Sequence, residues 1–151
     1  MTRSGGCQCG ALRFRLVGEV RGVHLCHCRM CQKAVGNAFA ALAPVGDARL
    51  EWTRGERRLW RSSDHASRGF CATCGTPLTY ESARGTALCV GAFDDPASLP
   101  PETQDGTEGR LPWTHGLDAL PGGPTDMRDA AGAPLPIRSN QHPDRDTASW
   151  P

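Results

Sequence analysis

Residues 70–78 read Phe70-Cys71-Ala72-Thr73-Cys74-Gly75-Thr76-Pro77-Leu78, and this stretch decides what kind of domain the chain makes. A Cys-x-x-Cys-Gly turn aims two sulfurs at one point, and its glycine lets the backbone fold back beneath them. A structural zinc needs four such ligands in a closed tetrahedron, with sulfur about 2.3 Å from the metal. Two further sulfurs must therefore arrive from elsewhere in the chain. Gly6-Cys7-Gln8-Cys9-Gly10 is the natural source. Cys7, Cys9, Cys71 and Cys74 are thus the expected structural zinc ligands.

Between those pairs lies Cys26-His27-Cys28-Arg29-Met30-Cys31. Three protein ligands and one open position are what a catalytic zinc requires, because substrate or water takes the fourth place. Cys26, Cys28 and Cys31 are read as that second, open zinc site, giving two zinc ions per chain. His27 is a candidate proton shuttle, since imidazole titrates near neutral pH. Arg29 and Lys33 are candidates to offset the charge of three thiolates. The same residues allow other readings. His24 or His27 as a fourth ligand would make both ions structural and the domain a non-catalytic interaction module. An iron–sulfur cluster, a labile thiol sensor, or closure of Cys71 and Cys74 on Cys26 and Cys28 would use the same sulfurs. Cys89, between Leu88 and Val90, reads as a buried, inert thiol.

The rest of the composition narrows the class. The chain has 151 residues, 8 cysteines and a formal net charge of +1, enough for one core and too neutral for a dedicated nucleic-acid binder. Lys33 is its one lysine. No run approaches the roughly 18–20 apolar residues of a membrane helix. Met1 to Cys7 holds no apolar run of a secretory signal, so a cytoplasmic, reducing setting is expected, where clustered cysteines hold metal rather than disulfides.

Periodicity points to a mainly β fold with little helix. Leu12, Phe14 and Leu16 alternate along Ala11–Val17 as a half-buried strand. Gln32 to Val35 can make a helical turn that Gly36 ends in the left-handed conformation. Phe39 to Ala43 reads as a strand stopped by Pro44. Leu50 and Trp52, then Leu59 and Trp60 after the Arg54-Gly55 turn signal, suggest a hairpin whose Arg57-Arg58-x-x-Arg61 face is solvated. Thr86 to Phe93 reads as a buried strand. Beyond Pro121 large apolar residues become rare, with Trp150 alone near the end, and residues 122–151 are expected to form a loosely ordered Pro/Gly-rich tail on a domain of residues 1–121.

The three cysteine groups in this order resemble the glutathione-dependent formaldehyde-activating enzyme family, which includes centromere protein V-like domains. Gly6-Cys7-Gln8-Cys9-Gly10-Ala11, Cys26 to Cys31 with Gly36 after it, Phe70 to Leu78, and Val90-Gly91-Ala92-Phe93-Asp94-Asp95-Pro96 carry the likeness, over roughly residues 4–121. The resemblance implies several small coiled β-sheets and hairpins organised around a four-cysteine zinc site. It implies the same division into structural and catalytic ions. It further implies a carbon–sulfur lyase-type reaction joining glutathione and formaldehyde as S-(hydroxymethyl)glutathione, or a related thiol and small aldehyde; the near-neutral charge and the lack of a long apolar run already argue against a nucleic-acid or membrane partner. At Glu102 to Arg110 the sequence departs from the family, in which a His-Ile pair and a basic residue precede the tryptophan near the domain's end.

Overall fold

A computed structural model describes residues 1–123, 125, 127–136 and 138–149; Trp150 lies outside them. The fold is mainly β, in two sheets. The smaller contains β1 (Thr2–Gly6), β2 (Arg13–Val17) and β5 (Arg49–Arg54), in the order β1-β2-β5 and antiparallel throughout. The larger runs β10-β3-β4-β9-β8-β7-β6. Its strands are β3 (His24–Cys26), β4 (Ala40–Pro44), β6 (Arg58–Arg61), β7 (Ala66–Phe70), β8 (Pro77–Ser82), β9 (Gly85–Cys89) and β10 (Thr103–Asp105). Every pairing in it is antiparallel except β10 with β3. One α-helix, α1 (Arg29–Val35), occurs among the described residues.

The alternation in β2 does what its pattern requires. Leu12, Phe14 and Leu16 are buried and meet Leu78, Leu88, Phe93 and Leu99 in one core fed by both sheets. Phe14 sits edge-on to Trp52 and Phe93, with ring centroids 5.9 and 5.1 Å apart, the arrangement the ring quadrupoles favour. A second apolar cluster, Cys31, Ala40, Leu42 and Ala87, lies beneath the cysteine trio with Val35, Tyr80 and Cys89 against it.

Arg13 breaks the alternation. It is only 3% exposed, because Asp94 accepts from its Nη1 and Nη2 at 2.8 and 2.5 Å and Asp146 accepts at 3.0 Å. A buried guanidinium survives only when paired in this way. Removing one partner of a buried pair costs about 3–5 kcal/mol. Because Asp146 remains on Arg13, Asp94→Asn should fall near the low end of that range. Urea denaturation checks it: the midpoint should drop while the slope stays unchanged.

The expected hairpin at Arg54-Gly55 does not form. β5 pairs with β2, whereas β6 pairs with β7, so the chain crosses from one sheet to the other. The reason lies in Arg57. Its guanidinium stands 5.1 Å over the Trp52 ring and bonds Glu81 on β8 at 2.5 and 3.1 Å. This anchors the crossing to both sheets, while the β6 residues themselves are exposed. Glu81 is held below its ordinary carboxylate value by that arginine. The apolar run at 86–93 also divides: it is strand only to Cys89, then a 3₁₀ turn at Val90–Ala92 that buries Val90 and Ala92. Of the stretch beyond 121, residues 142–147 pack on the domain. His142 is buried with its amide on the Gln8 carbonyl at 2.8 Å, Arg15 reaches Asp146 at 3.2 Å, and Arg54 donates to the Thr147 carbonyl.

Candidate functional site

Two knuckles of matching construction build the first cysteine cluster. Gly75 N–H donates to the Cys71 carbonyl at 2.9 Å, and Gly10 N–H to the Cys7 carbonyl at 3.0 Å. Gly75 sits at φ 79°, a left-handed conformation costly for residues with a Cβ. The knuckles are fastened to each other, since Gln8 N–H donates to Thr76 Oγ1 at 3.0 Å. As a result the sulfurs of Cys7, Cys9, Cys71 and Cys74 all lie within 4.8 Å of one another. Cys7 to Cys9 is 3.6 Å and Cys9 to Cys71 is 3.9 Å. Four sulfurs about 2.3 Å from one tetrahedral ion would be about 3.8 Å apart. The donor set therefore fits a thiophilic metal, and all eight cysteines are free of disulfides.

The thiols of this cluster are shifted in opposite directions. Burial pushes the Cys7 thiol up to about 12. Cys74 goes the other way, to about 6, because hydrogen bonds from Thr76 and Cys9 outweigh its desolvation. A buried sulfur of this kind carries charge at neutral pH when a cation lies among its neighbours.

The second cluster stands on β3 and the start of α1. The sulfurs of Cys26, Cys28 and Cys31 lie within 4.8 Å of one another, with Cys26 to Cys28 at 3.6 Å. Cys28 caps α1, its sulfur accepting from Cys31 N–H at 3.4 Å, and Gly36 ends the helix at φ 63°. Burial raises Cys26 to about 12. Against its own desolvation, amide hydrogen bonds from Cys31 and Met30 hold Cys28 below the ordinary thiol value. Neither His24 nor His27, the alternative fourth ligands, is grouped with the trio. His24 places Nδ1 3.0 Å from the Gly22 carbonyl. His27 is 1% exposed, with Nε2 2.9 Å from Gln104 Oε1 and its ring beside Phe39.

Several residues that shape this cluster carry no motif. The acidic stretch 102–110, which shows no strand periodicity, places β10 parallel to β3 and sends the Asp105 carbonyl to His27 N–H at 2.9 Å. Buried Gln32 donates from Nε2 to the carbonyls of His27 and Gly109 at 2.8 and 2.9 Å, tying helix, strand and stretch together. Arg68, from β7, donates to Cys31 Sγ at 3.4 Å while lying 5.0 Å over the Tyr80 ring. It is the cation at the trio; Arg29 is turned to Gln32 Oε1 instead. Cysteine spacing carries no signal for Arg68, 37 residues from its sulfur.

Gly106 packs directly on Cys28. A Cβ there would stand 2.9 Å from Cys28 N and 3.0 Å from Cys28 Cβ, on a backbone at φ 62°. Gly106→Ala should cost about 1–3 kcal/mol through strain alone and push the trio apart. Cobalt(II) titration should then show weakened binding at one cluster with the other unchanged.

A model of the family described as glutathione-dependent formaldehyde-activating enzyme matches residues 2–108. The chain belongs to that family. One family relative, a Halomonas elongata protein provisionally named a glutathione-dependent formaldehyde-activating enzyme, is 28% identical over 113 residues, covering 68% of this chain and 72% of its own. A crystal structure of a Rhodobacter sphaeroides protein aligns at 23% identity with a TM-score of 0.48, covering 67% of this chain and 98% of that one. The family match spans every cysteine of both clusters. No helix among the described residues is long and apolar enough to cross a membrane.

Proposed function

We propose that this family member is a zinc enzyme of the carbon–sulfur lyase type, forming or cleaving the adduct of a thiol such as glutathione with a small aldehyde. The observation that carries the reading is the asymmetry of the clusters among the described residues: four sulfurs grouped at one point, three at the other, and no histidine nitrogen grouped with the three. The four would hold a structural ion. Cys26, Cys28 and Cys31 would hold the second with a place left for substrate, and an ion there would keep a thiol in its thiolate form.

The chain's own residues supply the rest. A free thiol of pKa about 8.5 is already a few per cent thiolate at neutral pH, so thiolate formation is worth only about 2 kcal/mol. Holding thiol and carbonyl in contact can contribute about 7–11 kcal/mol, and the greater part of the catalysis is assigned to this. Arg68 offsets the charge of the trio through Cys31. His27, whose Nε2 is engaged by Gln104, is read as a positioning group that fixes β10 against β3 rather than as the shuttle. The setting is read as the cytoplasm, where a reduced thiol pool would keep both clusters open to metal.

The test is adduct formation followed by NMR, with zinc-loaded protein, glutathione and formaldehyde. Acceleration that chelator abolishes and zinc restores is expected. A rate equal to the uncatalysed one, with both clusters loaded, would leave a binding module in its place.

A further inference from the structure

Beside the trio lies a cavity of about 410 Å³ whose walls include Val35, Leu42, Trp60, Phe70, Pro77 and Tyr80. Its one charged lining residue is Arg68, the same side chain that donates to Cys31 Sγ. Arg68 is therefore common to the cavity wall and the trio. Trp60 is 62% exposed on β6, so the cavity has a wall of aromatic surface facing solvent.

Size and chemistry make the simplest occupants a poor match for this cavity. A volume in the range of small-ligand pockets, against roughly 30 Å³ for a water, is mostly vacant around a one-carbon aldehyde. Glutathione is anionic, and burying its carboxylates against apolar walls without partners is unfavourable. Arg68 is committed to Cys31 and Tyr80 through its terminal group.

We infer that the aldehyde partner of this protein carries an apolar substituent, branched or aromatic, which occupies the cavity bounded by Trp60, Phe70, Tyr80 and Leu42. The inference rests on the trio being the place of thiol–aldehyde addition. In that step the thiol sulfur's electron pair forms the C–S bond, the carbonyl π pair moves to oxygen, and the thiol proton ends on that oxygen as a hydroxyl. No oxidant or reductant is required. Formaldehyde would react in the same way but leave the walls untouched.

The test uses the full chain loaded with zinc, phenylacetaldehyde and acetaldehyde (both alkyl-substituted carbonyls, differing in the ring) as substrates with glutathione, and unreactive 2-phenylethanol as a probe of tryptophan fluorescence. At least a roughly tenfold larger kcat/KM for phenylacetaldehyde is expected, the discrimination an apolar pocket gives. A saturable fluorescence response to 2-phenylethanol, lost in Trp60→Phe and weakened in Ala34→Phe, which fills the cavity, is expected alongside it. Equal kcat/KM for the two aldehydes with Trp60 silent would overturn the inference and leave the lyase reading intact. A Trp60 response without turnover of either aldehyde would keep the cavity's apolar ligand and overturn the lyase reading. Silence in both would end both.

Discussion

Cys71→Ser is expected to leave a protein with no cooperative thermal transition. Cys71 is fully buried in the knuckle that faces Cys7 and Cys9, and the four-sulfur cluster joins β1 of the small sheet to β7 and β8 of the large one. A structural zinc contributes an apparent 10–16 kcal/mol or so, whereas a domain of this size is stable by only about 5–15 kcal/mol in all. Loss of one thiolate removes most of the first quantity and so most of the second. Circular dichroism during heating, read beside the wild type, checks this. A melting temperature within a few degrees of wild type would mean that the apolar core around Phe14 and Leu88 suffices without the metal.

Cys28→Ser should behave in the opposite way. Serine is a favoured helix N-cap, so α1 keeps its cap when the sulfur is lost, and the second apolar cluster keeps its buried members Cys31, Ala40, Leu42 and Ala87, losing only a partly buried sulfur packed against them. The variant should fold with a melting temperature close to wild type, bind one metal ion fewer, and lose adduct-forming activity. Metal analysis and the glutathione–formaldehyde assay together check it. If Cys28→Ser and Cys71→Ser unfold alike, the division between a structural and a reactive cluster is wrong.

The parts of this molecule that were legible in the sequence are those fixed by short-range pattern. Cysteine spacing, a glycine after each pair, and the alternation of Leu12, Phe14 and Leu16 each carry their meaning within a short window. What stayed hidden depends on pairs far apart. Arg13 looks solvent-facing until Asp94, 81 positions later, closes on it. The Arg54-Gly55 turn signal is real, yet the direction of the chain after it is set by Arg57 meeting Glu81, not by the turn. The stretch 102–110 has no apolar period because β10 is a three-residue edge strand held by backbone bonds and by Gln32 and Gln104. Arg29 and Lys33 stood nearest the trio in sequence, while Arg68 reached it in space. The packing of 142–147 relies on arginines of β2 and β5, which composition of the tail alone does not announce.

The most direct test of the central claim is zinc stoichiometry and zinc-edge X-ray absorption on the purified full chain. Two zinc ions per chain are predicted, in shells of four and three sulfurs at about 2.3 Å, the second shell gaining a sulfur when a thiol is added. A single zinc with four sulfurs and a trio that takes up no metal, or disulfides among these seven cysteines, would contradict the account.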